Sequence, residues 1–205
     1  CIVVASYQGV ELIGITAGIF READDLGDGE LIDRIKDSAK QKGTGRWASI
    51  EALKQGVDIS MITSACTARI MSNHLDEREK AWQLIHSPAV GLSPDKESFA
   101  AMVREALYTG KIIAYAQGFS LMQDASRLYG WNLDLGKIAS IFRAGCIIQA
   151  VFLNDITHAF EAEPKPENLI FDGFFLSRIN EHQDSLRQAV STGVMNGLPI
   201  PALCN

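Results

Sequence analysis

Apolar residues recur along most of the chain at the three- and four-residue spacing of helices, with no sustained two-residue alternation, so the sequence predicts an all-α fold. Val10, Ile13, Ala17 and Phe20 set out a first helix over 9–22, weakened by Gly14 and Gly18. Leu31, Ile32, Ile35 and Ala39 predict a second, short amphipathic helix after the polar loop 24–29. A third covers 47–55 and stops at Gly56, a residue suited to a left-handed terminus. The run 61–70 is small and apolar on nearly all sides, which predicts a buried helix carrying one charge, Arg69. A charged surface helix follows over 76–85, then a loop over 86–93.

Ser93-Pro94-Asp95 reads as a helix start, with Ser as cap, Pro first and an acid in the first turn. The pattern continues to Gly130, which predicts a helix of about 50 Å. Two apolar stripes run along it, one through Phe99, Val103, Ala106, Gly110, Ile113, Gln117, Leu121 and Ala125. The other takes Tyr108, Ile112, Tyr115, Phe119 and Met122. No charge falls between Lys111 and Asp124, so this is a central mast packed on most sides. Gly110, Ala114 and Gly118 stand four apart and would admit a close neighbour. Helices are predicted over 135–142, 147–161 and 171–194, with a break at Pro164-Lys165-Pro166. Gly193 and Gly197 close the last one, and Pro199-Ile200-Pro201 should be extended.

Composition narrows the function classes. The 205 residues suit one large domain or two small ones, and 47% of them are hydrophobic, enough for a sizeable core. The formal net charge of -6 argues against general binding to nucleic acid or to anionic membranes, so any anion site must be a local cluster of cations. No apolar run approaches a membrane span, and no secretory signal is evident. Cys1, Cys66, Cys146 and Cys204 fit neither a zinc site nor a disulfide framework, and read as buried, reduced thiols of a cytoplasmic protein. The four histidines have no metal-ligand spacing. The chain does not begin with Met and reads as a piece of a longer product.

The clearest chemistry lies in Gln41-Lys42-Gly43-Thr44-Gly45-Arg46-Trp47, directly before a helix. Amides around Thr44 and Gly45, the positive end of that helix and the charges of Lys42 and Arg46 together suit a phosphate or carboxylate. On these residues alone an ordinary Gly-rich turn fits as well. Arg69, lone in its apolar run, either makes an internal ion pair or meets an anion in a cleft. Gly43-x-Gly45-x-x-Ala48 formally matches a dinucleotide fingerprint, but the residues before it have helical period where that motif needs a strand.

With these residues in view, the chain resembles the C-terminal helical domain of 6-phosphogluconate dehydrogenase, from about Ile13 to Ala202. The resemblance rests on Asp37-Ser38-Ala39 with the 41–47 loop, and on Glu105-Ala106-Leu107-Tyr108 with the stretch 111–119. Phe142-Arg143-Ala144-Gly145-Cys146-Ile147-Ile148, Gln183-Asp184-Ser185 and the stretch 189–194 complete it. The sequence departs from the family at Gly14, where an acid is frequent. It departs again at Phe142, Ala144 and Gln149, which replace a usual Trp, Gly and Arg.

The resemblance implies a domain organisation: an atypical segment over 1–8, then a helical domain over 9–205. The family's Rossmann domain, its lysine base and glutamate acid, and its C-terminal tail lie outside this chain. It implies oxidative decarboxylation of 6-phosphogluconate to ribulose 5-phosphate with NADP, by a homodimer, with no metal. Within this chain it assigns Lys42, Thr44 and Arg69 to the substrate phosphate and leaves no catalytic acid or base, so this part alone should not turn over. Cut from its partners, the domain should also self-associate through the long or the last helix. A different expectation is a helical dimerisation module that has lost catalysis.

Overall fold

The computed structural model describes residues 11–40, 42–86, 91, 95–144, 146 and 148–205. Its helices are α1 (Glu11–Ile19), α2 (Thr44–Gln55), α3 (Ser60–Ser72), α4 (Leu75–Leu84), α5 (Lys96–Tyr129), α6 (Leu135–Ile141), α7 (Leu153–Glu161) and α8 (Gly173–Met195). Single 3-10 turns stand at Leu31–Arg34, Leu169–Phe171 and Pro201–Cys204. Among the described residues the β structure is one isolated bridge, Ala23 to Glu30, so the all-α expectation holds. No helix among them is long and apolar enough to cross a membrane.

The mast is α5, 34 residues long. Its cap is Asp95, whose carboxylate accepts from the amides of Glu97 and Ser98 at 3.0 Å each. Asp95 therefore caps the helix, where the sequence pattern placed it in the first turn; Ser93 and Pro94 lie outside the described residues. The bonds from Ser98, then Glu97, hold the Asp95 carboxyl below its ordinary range. Asp95→Ala should lower the melting temperature. A depressed carboxyl stabilises above its unfolded pKa and loses that contribution as pH falls through the folded one. The difference between the two proteins should therefore close in acid, as thermal melts between pH 7 and pH 2 would show. Gly130, left-handed at φ 66°, ends the helix as expected.

One side of α5 builds the core. Ile112, Ala116 and Phe119 pack with Leu135 and Ala139 of α6 and with Phe152, Leu153, Ile156, Ala159 and Phe160 around α7. Leu169 and Phe175 of the following turn and α8 close it. Asp134 and Asp172 cap α6 and α8 through the amides of Lys137 and of Phe174 and Phe175. These caps explain why α8 begins at Gly173 and not at 171. On its other side α5 admits a close neighbour at Gly110, as expected, while Gly118 makes only an ordinary contact. A methyl on Gly110 would lie 2.7 Å from Leu203 Cδ2, and one on Gly118 would lie 3.9 Å from Ile62 Cδ1.

Several expectations change. The apolar residues at 31–39 make only a 3-10 turn, because the backbone at Asp37 and Ala39 bonds to the side chains of Ser72, Asn73 and Arg78 where a helix would need its own backbone. The predicted 147–161 helix starts at Leu153; residues 145 and 147 lie outside the described set. Gly193 is buried inside α8, packed on Ile200, and it is Gly197 at φ 68° that follows the helix end. Pro201 opens a 3-10 turn where an extended tail was expected, as its fixed φ permits. The cysteines were expected to be buried, but Cys66 and Cys146 are half-buried and Cys204, in the C-terminal turn, is exposed, none of the three in a disulfide; Cys1 and Val10 lie outside the described residues.

Candidate functional site

The site is reached from the core through Gln117. This buried amide accepts from the amide of Met61 at 3.0 Å and donates to Asp58 Oδ2 and Ser60 Oγ at 3.1 Å each. It thus pins the start of α3 to the mast. α3 in turn holds α2. Ser49 Oγ meets Thr63 Oγ1 at 3.1 Å, and a methyl on Gly45 would lie 2.5 Å from Cys66 Sγ. Only glycine permits that approach of the two helices. At the far end of α2, Tyr129 of α5 donates to Glu51 at 2.5 Å and holds that carboxyl below its ordinary range.

The Gly-rich stretch is the first turn of a helix more than it is a loop. Gly43 is left-handed at φ 103° and occupies the cap position of α2, so the helix begins at Thr44, three residues before the predicted start. The glycine brings no side chain to cap that turn. Its amides and the helix dipole are left to an acceptor from outside. Lys42, Gly43, Arg46 and Ile70 line a shallow cavity of about 330 Å³ at this end. Gln41 lies outside the described residues.

The three predicted ligands are placed unequally. Lys42 is exposed and lines the cavity. Thr44, also exposed, is the first residue of α2, beside the lining and not in it. Arg69 is not buried, as its apolar surroundings in sequence had predicted, but exposed on the last turn of α3. Within α3 only Met61 is buried, and Ile70 and Met71 are 52% and 60% exposed. α3 packs on α2, on α5 and on the C-terminal turn, and leaves Ala65, Thr67, Ala68 and Arg69 exposed. The Arg69 guanidinium donates to the carbonyl of Lys40 at 3.3 Å, which brings it to within two residues of Lys42 along the chain. Among the described residues no cluster of three or more potential metal ligands occurs.

Ser72, Asn73 and Arg78, which the sequence motifs did not single out, tie residues 37–39 to the end of α3 and to α4. A polar Ser-Asn pair ending an apolar helix was the available signal.

Comparison with known proteins settles the family. The family model for "6-phosphogluconate dehydrogenase, C-terminal domain" matches residues 5–205. The chain is 44% identical over 190 residues to a decarboxylating 6-phosphogluconate dehydrogenase of Lactococcus lactis subsp. lactis, covering 93% of this chain and 40% of the relative. It is 47% identical over 191 residues to the enzyme of that name from Mus musculus, covering 93% and 39%. A solved structure of Plasmodium falciparum 6-phosphogluconate dehydrogenase, studied in apo form, with its cofactor NADP+ and with its substrate 6-phosphogluconate, superposes with a TM-score of 0.89. That match has 38% identity and covers 96% of this chain and 42% of that one. The chain thus spans about two fifths of the length of these relatives. With nearly every residue matched and the helical order shared, the chain belongs to the 6-phosphogluconate dehydrogenase family, as its C-terminal helical domain.

Proposed function

We propose that this chain is the substrate-binding and dimerisation part of a cytoplasmic, homodimeric oxidoreductase. That enzyme converts 6-phosphogluconate to ribulose 5-phosphate and carbon dioxide with NADP. The observation that carries the reading is the joining of Lys42 and Arg46 in one cavity at the uncapped start of α2. Two cations and a turn of free amides on an acidic chain suit a phosphate dianion. Lys42 supplies a point charge, Thr44 a hydroxyl donor, and Arg69 a planar set of donors of which one is used on Lys40. Together they would hold the phosphate end of a sugar acid and leave its other end to be oxidised elsewhere.

The described residues do not build a dinucleotide site. Gly43 follows an irregular segment and a 3-10 turn, and no strand precedes it among the described residues. NADP, the cofactor of the Plasmodium relative, is in this reading held mainly by the part of the relatives' length that this chain does not span.

The test is kinetic, in the full-length protein. Lys42→Ala and Arg69→Ala should each raise the KM for 6-phosphogluconate by about 10- to 100-fold, as expected for one lost charge-assisted bond. An unchanged KM in both variants would sink the reading.

A further inference from the structure

The segment 36–40, which leads into the phosphate loop, forms no helix of its own, yet its backbone groups are bonded. Arg78 Nη1 donates to the carbonyl of Asp37 at 3.1 Å and to that of Ser72 at 3.2 Å, while its Nη2 pairs with the Asp37 carboxylate. Ser72 Oγ accepts from the amide of Ala39 at 3.0 Å. Asn73 Nδ2 donates to the carbonyl of Ala39 at 3.1 Å and to that of Arg69 at 2.7 Å, and its Oδ1 accepts from Ser38 Oγ at 2.8 Å. The next carbonyl, that of Lys40, takes the Arg69 guanidinium. Asn73 is the middle of this lacing, since its one amide group bonds the segment at Ser38 and Ala39 and is itself held to α3 through the Arg69 carbonyl.

We propose that Ser72, Asn73 and Arg78 are positioning residues that set the place of Lys42 and the first turn of α2. The inference rests on the phosphate reading above. Arg78 spends its charge on Asp37, so it acts on the loop and not on an anion. None of the three belongs to the hydrophobic core, so breaking the lacing should loosen the loop and leave the fold standing. A loop already held in place binds its ligand without paying for its own ordering, and its release should weaken binding without touching the chemical step.

Asn73→Ala and Arg78→Met in the full-length protein test this, read by amide hydrogen exchange and by steady-state kinetics with 6-phosphogluconate. Exchange at the bonded amides of Ser38, Ala39 and Trp47 should rise about tenfold while α5 is unaltered, and KM should rise about tenfold with kcat nearly constant. Asn73→Asp, which keeps the shape and the acceptor for Ser38 but removes both donated bonds, should shift KM the same way and guards against a variant that fails to fold. Unaltered exchange at those amides overturns the proposal. So does faster exchange that extends through α5, which marks a merely structural role, or an unmoved KM beside a Lys42→Ala control that raises it. If Lys42→Ala leaves KM unmoved, the phosphate reading falls and the positioning role with it, whatever the exchange shows.

Discussion

Phe152→Ala is expected to cost about 4 kcal/mol, the upper part of the range for deleting a fully buried ring. Phe152 is 1% exposed and stands at the start of α7, where three helices meet. Tyr108 and Tyr115 of α5 and Phe175 of α8 each stand in T-shaped contact with it, with centroids 5.6, 5.4 and 5.7 Å away and planes 87°, 84° and 87° apart. Edge-to-face pairs each add roughly 1 kcal/mol beyond area burial, and Ala would forfeit all three. Collapse around the cavity is hindered, because the neighbours sit on separate helices tied by other contacts. For a domain of this size the loss corresponds to a fall of roughly 8–16 °C in Tm, measurable by thermal or urea unfolding. Phe152→Leu should cost clearly less, since it keeps most of the volume. A loss under about 1 kcal/mol for Phe152→Ala would mean that the three helices do not converge on this ring.

That convergence was only partly legible beforehand. The stripe Tyr108, Ile112, Tyr115, Phe119 is periodic, so its burial could be read from spacing alone. Phe152 precedes its helix and belongs to no stripe, so nothing local marked it as the hub. The long helix was readable because Asp95 and Gly130 punctuate both ends of an uninterrupted pattern. The segment 31–39 misled for the opposite reason: its spacing is helical, but Asp37 to Lys40 take their hydrogen-bond partners from about 30 to 40 residues further on. A local pattern cannot report a partner that distant.

The candidate site divides in the same way. Lys42, Gly43 and Arg46 are neighbours in sequence and share a cavity, so this grouping of cations beside a glycine could be read from seven consecutive residues. The exposure of Arg69 was not. An apolar run looks alike whether it is covered by the chain's own core or by surface the chain does not supply. α3 leaves Ile70 and Met71 open, so burial inferred from composition failed at that point.

The second large effect should be a gain. Lys111→Met is expected to stabilise the protein by roughly 1–2 kcal/mol at neutral pH, allowing for partial solvent screening, and so to raise Tm by a few degrees. Lys111 lies on α5, one turn from both Tyr108 and Tyr115, with its ammonium 5.4 Å from the centre of the Phe152 ring. Its Nζ is buried and has no hydrogen-bond partner, so the ring face is its main compensation. Burial lowers its pKa from 10.5 to about 8. The sign follows from proton counts. Below pH 8 the group is charged in both folded and unfolded chains, and the folded state bears the full cost of burying it. Between about 8 and 10.5 the folded chain has released the proton and the unfolded chain still binds it, so this contribution to stability rises with pH. The advantage of Met should therefore be greatest near pH 7 and shrink as pH approaches 10. Above that, burial holds Tyr115 protonated up to about 12 and works in the opposite direction, so melts of both proteins from pH 6 to 9.5 isolate the lysine. A Tm difference that stays constant across that range would show that the ammonium is solvated. In the Phe152→Ala background water gains access to Nζ and the ring face is lost, so the two substitutions should not be additive. A double-mutant cycle measured at pH 7 and again at pH 9.5 would separate the desolvation of the ammonium from its attraction to the ring.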